Sequence, residues 1–176
     1  RLADWKGYTP KSVDFGGKKF SPKALMHLIM YIWSRRATVM TDDEGKNLIK
    51  FRYANKGPTV EWRDGIQAAG AKYDTKYKAF VSYDETFIQA CVNEIGLDFF
   101  TAKVPRCVFD WDKSDIWKFL ELVLYFVPKQ KYTKEERKHK YVTKALFTLY
   151  SKQQADDLHE LFFKCGYSLN LTSEPR

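Results

Sequence analysis

One local pattern occurs twice in this chain: a short run of apolar residues leads straight into a helix-capping residue. Phe80-Val81-Ser82-Tyr83-Asp84 precedes a segment carrying Ile88, Cys91, Val92 and Ile95, and Phe147-Thr148-Leu149-Tyr150-Ser151 precedes one carrying Leu158, Leu161, Phe162 and Cys165. Apolar residues three, four and seven positions apart line one face of a helix. A strand feeding a capped amphipathic helix, met twice at similar length, predicts an internal duplication of an α/β unit.

The first copy is the more complete. Ser21-Pro22 supplies a cap and a proline at the first helical position, and Leu25, Leu28, Ile29 and Ile32 extend a helix to about Ser34. Met26, Met30 and Trp33 widen its apolar surface, which predicts burial on more than one side. Strands are expected near Thr38–Met40 and Lys46–Tyr53, joined by the turn Asp42-Asp43-Glu44-Gly45. A short helix from Thr59 to Ala69 ends on Gly70, and strands near Ala71–Asp74 and Lys76–Tyr83 lead to the helix capped by Asp84. The order α-β-β-α-β-β-α then restarts after the linker Lys103-Val104-Pro105. Asp112 or Ser114 caps a helix with Ile116, Phe119, Leu120 and Val123 on one face. A Lys-rich segment leads to a strand over His139–Tyr150, Ser151 and Gln154 form a capping-box pair, and Tyr167–Leu171 reads as a strand. The expected division is a loop over residues 1–20, a first half over 21–104 and a second, incomplete half over 105–176.

Charge narrows the partners. Thirty Lys and Arg against 22 Asp and Glu give a net charge of +8, which favours anionic partners, with solubility alone as the competing explanation. Period-two alternation puts Lys46, Leu48, Lys50 and Arg52 on one strand face, Lys76 and Lys78 on another, and Lys140 and Lys144 on a third, which predicts a cationic sheet face opposite the helices. Such a face can follow phosphates and present side chains to a groove. The longest apolar run, Leu122 to Pro128, is too short to span a bilayer, so no membrane partner is expected. Cys91, Cys107 and Cys165 are odd in number and form no CxxC pair, which points to a reducing, intracellular compartment. His27, His139 and His159 show no metal-ligand spacing, and there is no phosphate loop or nucleophile elbow. Asp42-Asp43-Glu44 suits a turn and Asp156-Asp157 a helix N-terminus. The chain opens on Arg1 and ends on Thr172-Ser173-Glu174-Pro175, as expected of a piece of something longer.

The duplicated order, with a sheet face as binding surface, resembles the LAGLIDADG homing endonucleases, above all those embedded in inteins. The similarity rests on several stretches. Lys103-Val104-Pro105-Arg106-Cys107-Val108-Phe109 with Ile116 and Phe119-Leu120-Glu121 is similar to the entry into the family's second motif helix. Tyr150 to Leu161, followed by Lys164-Cys165-Gly166-Tyr167-Ser168, is similar to a later helix. Leu25 to Ala37 lies where the first motif helix belongs, and Trp5-Lys6-Gly7-Tyr8 looks like inteins of phage proteins. The resemblance implies a pseudo-twofold monomer whose two motif helices pack side by side, each ending in an acid beside a glycine, with divalent metal between them to activate water. Here Arg35-Arg36 and Val127-Pro128 stand at those positions.

The resemblance therefore implies a degenerate nuclease. Its catalytic positions hold Arg35 and Val127, it has no resident cofactor, and duplex DNA is held by Lys46, Lys50, Arg52, Lys76, Lys78, Lys140 and Lys144. Three alternatives stay open at the level of sequence. They are a magnesium-dependent nuclease with acids relocated to Asp43 or Glu44, a cofactor for splicing that binds structured RNA, and an inert insertion in a host protein.

Overall fold

The computed structural model describes residues 5–55, 58–126 and 149–169. Its first elements replace the expected opening loop by a hairpin, β1 (Val13–Phe15) and β2 (Lys18–Phe20). The Gly16-Gly17 turn has φ of 58° and 76°, the left-handed pair that two-residue hairpin turns demand and that glycine adopts without strain. Phe15 and Phe20 pack on Phe87 with ring centroids 6.4 Å away in each case.

Helix α1 (Pro22–Trp33) begins as the sequence predicts, with the Ser21 side chain accepting from the Ala24 amide and proline at the first position. Every residue from Ala24 to Trp33 is buried, so neighbours must surround it on all sides. His27 is among them. Burial, and then Lys23, push its pKa below the ordinary value, which suits a neutral core residue.

Strands β3 (Ala37–Thr41) and β4 (Asn47–Arg52) follow, then a 3-10 turn (Pro58–Trp62), α2 (Arg63–Ala68), β5 (Lys72–Asp74) and β6 (Ala79–Ser82). The four strands form one antiparallel sheet in the order β3-β4-β6-β5. Ala37, Val39, Ile49, Phe51 and Phe80 turn towards the core. Helix α3 (Glu85–Ala90) is capped by Asp84, continues as a π-turn over Cys91–Ile95, and stops at Gly96 with φ 95°. Asp84 also pairs with Lys18 at 3.0 Å, which holds its carboxyl below the usual range.

In the second half, a 3-10 turn (Arg106–Asp110) leads to α4 (Lys113–Phe126), and α5 spans Lys152–Lys164. Helices α1 and α4 meet, as expected, through Trp33 edge-on to Phe119 at 5.8 Å. Ser151 and Gln154 cap α5: the serine oxygen accepts from the Gln154 amide, and the Gln154 side chain accepts from Tyr150 and donates to the Phe99 carbonyl. The strand expected over His139–Tyr150 lies outside the described residues except for Leu149 and Tyr150, which are irregular, as are Tyr167 to Leu169. The described residues thus form a mixed α/β fold with two antiparallel sheets and a core running from Val13 to Cys165.

The N-terminal segment is tied to the second half. Trp5 Nε1 donates to the Trp111 carbonyl at 2.9 Å, the Tyr8 amide to the Asp110 carbonyl at 2.8 Å, and the Asp112 amide to the Thr9 hydroxyl at 2.9 Å. Gly7 makes this possible, because a Cβ there would lie 1.9 Å from the Trp111 oxygen. Lys164 closes the arrangement, its ammonium 2.6 Å from the Phe109 carbonyl and 4.0 Å above the Trp5 ring.

Two stability predictions follow from this packing. A Cβ on Gly65 of α2 would stand 2.5 Å from the Leu28 amide nitrogen of α1. That clash is with backbone, so it belongs at the upper end of the ~1–3 kcal/mol that overpacking costs and outweighs the ~1 kcal/mol of helix propensity that alanine brings. Gly65→Ala is expected to lower the urea midpoint; a raised midpoint would contradict the close approach of α2 to α1.

Asp157 of α5 is 7 % exposed, with Oδ2 buried and unbonded and Oδ1 3.8 Å from the largely exposed Arg106. Burial raises its pKa above the ordinary value. The protonated carboxyl is therefore favoured in the fold, and its contribution to stability is present below the unfolded pKa of about 3.9. It is lost as pH rises through the higher folded value. Asp157→Asn is expected to gain on the wild type progressively as pH rises above about 4, measured as paired denaturation curves from acid to neutral pH. A constant difference between the two proteins across that range would refute the assignment.

Candidate nucleic-acid interface

The face of the large sheet turned away from the core is defined by its register. Thr38 lies opposite Lys50, Met40 opposite Leu48, Lys50 opposite Val81, Arg52 opposite Ala79, and Lys72 opposite Val81. Residues paired directly across antiparallel strands share a face, so Lys50, Arg52 and Lys72 stand together here. Lys50 is half-buried, while Arg52 and Lys72 are exposed. Leu48, Ala79 and Val81 are buried on the same face and belong outside the main core.

Strand β6 differs from the sequence expectation. Lys76 and Lys78 precede it, in a four-residue turn over residues 75–78, and Ala79 and Val81 take the face of Lys50 and Arg52. The cause is Asp74, whose Oδ1 accepts the Lys76 amide at 2.8 Å and the Tyr77 amide at 3.4 Å, a side-chain-closed turn. Lys78 leaves this turn at φ 50°, and that left-handed step brings it back to the cationic face.

A groove of about 220 Å³ opens on this face, lined by Arg35, Arg36, Thr38, Lys50, Arg52, Tyr77, Lys78 and Ala79. Five of the eight are cations and none is a carboxylate. Among the described residues, none of the five forms an ion pair.

The local backbone sets their positions. Arg35 follows the last turn of α1 at φ 61°, its amide donating to the Ile32 carbonyl and that of Arg36 to the Tyr31 carbonyl. This is the left-handed helix ending in which glycine is the usual residue. The Arg35 guanidinium lies 4.2 Å from the Phe100 ring centre. The Arg52 amide donates to the Arg36 carbonyl at 2.8 Å, and the buried Tyr31 hydroxyl donates to the Arg52 carbonyl, which fixes both arginines relative to α1. Arg35 and Lys78 are the two non-glycine residues with positive φ among the described residues, and both line the groove. Left-handed backbone at a non-glycine residue costs of order 1–3 kcal/mol and gathers at functional sites.

The other residues singled out in the sequence are placed differently. Lys76 pairs with Asp43 at 2.9 Å, which raises its pKa, and Lys46 lies 4.9 Å from the Tyr83 ring centre. Both border a second hollow with Asp42, Asp43, Glu44 and Asp74, which shares Tyr77 with the five-cation groove but none of its cations. Asp42 is used within its own turn, accepting the Glu44 and Lys46 amides at 2.9 and 2.8 Å. Val127, Lys140 and Lys144 lie outside the described residues.

The donors at the end of α1 do not fit a divalent metal. The groups there are two guanidinium ions, which repel a dication, and among the described residues no three His, Cys, Asp or Glu side chains converge. The three cysteines are free thiols, Cys107 pushed up to about 11 by burial and Cys91 and Cys165 raised for the same reason, so they are poor nucleophiles. No described helix is long and apolar enough to cross a membrane.

Comparison with protein-family models, with curated proteins and with solved structures finds no match.

Proposed function

We propose that this chain is a nucleic-acid-binding domain that lies on duplex DNA through the five-cation groove and the sheet face around it, without cutting it. The observation that carries this is the groove lining: Arg35, Arg36, Lys50, Arg52 and Lys78 with no carboxylate among them. Cations gathered at one site repel each other, and an incoming phosphate backbone relieves that repulsion while releasing its own counterions. Arginine adds a planar fork that matches phosphate oxygens. The left-handed backbone at Arg35 and Lys78 supports the same conclusion, since such backbone at non-glycine residues gathers at functional sites.

Binding without cleavage is the form of the LAGLIDADG resemblance that these residues support. At the end of the first motif helix, where an acid would hold metal, Arg35 lines the groove and stacks on Phe100. Of the two acids that could stand in, Asp43 is ion-paired with Lys76, and neither it nor Glu44 lines the groove.

Fluorescence anisotropy against duplex DNA and structured RNA, across a salt series, tests the binding. Lys50→Glu, Arg52→Glu or Lys78→Glu is expected to weaken duplex binding and to lower the salt slope by about one for each phosphate that is no longer neutralised. Lys19→Glu and Lys23→Glu, exposed on β2 and α1, serve as controls; equal weakening there would remove the special role of the groove. Lys164 is unsuitable as a control, because it holds Trp5 and the Phe109 carbonyl. Preference for structured RNA over duplex would move the assignment to an RNA-binding splicing cofactor.

The unmodified chain is also expected to leave supercoiled and linear DNA intact with Mg²⁺ present. Cutting that EDTA abolishes and that copurifies with the chain would overturn the non-catalytic assignment.

A further inference from the structure

Three aromatic rings meet at the corner of the large sheet, on the face opposite the groove. Tyr53 and Phe80 stack at 5.9 Å and 26°, and Tyr73 stands edge-on to both at 5.7 Å. Tyr53 and Tyr73 remain 43 % and 50 % exposed, so this cluster is not closed core. The Arg63 guanidinium lies 4.7 Å from the Tyr53 ring centre, its Nε buried without an acceptor, and among the described residues no carboxylate pairs with it.

We infer that Tyr53, Tyr73 and Phe80, with Arg63, form a stacking platform for an unpaired nucleobase at the edge of the bound duplex. This rests on the nucleic-acid reading of the groove and names the second part of its ligand. The charge around the rings selects the occupant. Arg52 precedes Tyr53 in the chain, Lys72 precedes Tyr73, and Arg63 covers Tyr53, while Asp74, the nearest acid in sequence, is occupied by the amides of its own turn. Exposed rings bordered by unpaired cations match a base with its phosphate, because the ring face takes the base and the cation takes the charge. Position supports it too. Arg52 and Tyr53, and Ala79 and Phe80, are chain neighbours on opposite faces, so groove and rings share one corner. A strand leaving a duplex over the groove reaches the platform around that corner.

Three labelled probes decide the matter: a blunt duplex, the same duplex with a single-stranded thymidine extension, and the same duplex with an abasic extension of equal length. The thymidine extension is expected to bind about 5- to 150-fold more tightly than the abasic one, the range for stacking one base on aromatic side chains. Tyr53→Ala and Tyr73→Ala should abolish that preference and leave blunt-duplex affinity unchanged, Tyr53→Phe should retain it, and circular dichroism should show all three variants folded. Equal affinity of the wild type for the two extensions overturns the platform while leaving the groove intact. A preference for thymidine with no binding of the blunt duplex supports the platform and overturns the duplex reading. Failure to bind any probe overturns both.

Discussion

Beyond its first two residues, helix α1 has no solvent face. Ten consecutive residues, Ala24 to Trp33, are buried, and a helix in that position has to be enclosed by everything else in the fold. Gly65 lets α2 approach backbone to backbone, Phe51 brings the sheet against Tyr31, and Phe119 of α4 meets Trp33. A sheet has two faces, and one is committed to this enclosure. Its other face buries Leu48, Ala79 and Val81, and the cations collect around them. The C-terminus of α1 connects the two roles, because the residues that end the helix, Arg35 and Arg36, are the first residues of the groove.

The groove sets one physical demand against another. Arg35 and Lys78 occupy backbone conformations that disfavour any side chain, and they add like charges to a site already holding Arg36, Lys50 and Arg52. Neither choice helps the fold. Both improve recognition of an anion, since charges held in place by a helix ending and a closed turn give up little freedom when a ligand arrives. The Tyr31 hydroxyl on the Arg52 carbonyl has the same effect from inside the core, extending the rigidity of α1 into the binding face.

Much of the first half is legible in the sequence, because its signals are local. Ser21-Pro22, the turn Asp42 to Gly45, Gly70 and Asp84 each fix a boundary through a hydrogen bond or a permitted φ within a few residues. The hairpin at Gly16-Gly17 is equally local; its glycines suggest a loop, and they form a two-residue turn between short strands. Strand β6 is harder. Counting Lys76 to Tyr83 as one strand gives a regular alternation, and only the Asp74 side chain, which closes a turn, breaks it. Lys78 reaches the groove through its own left-handed backbone and not through the strand parity that singles it out. Lys76 is misplaced by the same count, since its partner Asp43 is distant in sequence. The aromatic corner is invisible for a related reason: Tyr53, Tyr73 and Phe80 meet only when β4, β5 and β6 are in register.

The attachment of residues 5–9 to residues 109–112 has a consequence for the order of folding. Trp5 and Trp111 are 106 positions apart, so this contact closes a long loop, and loops of that length are slow to close. Residues 5–9 are synthesised about a hundred positions before the residues that hold them, and so wait for their partners. Until α4 emerges, α1 lacks the neighbour that covers Trp33, and a helix apolar on all sides stands partly open. Between the synthesis of residue 33 and that of residue 119 the apolar surface of α1 lacks its Phe119 cover, and exposed apolar surface of that kind invites aggregation.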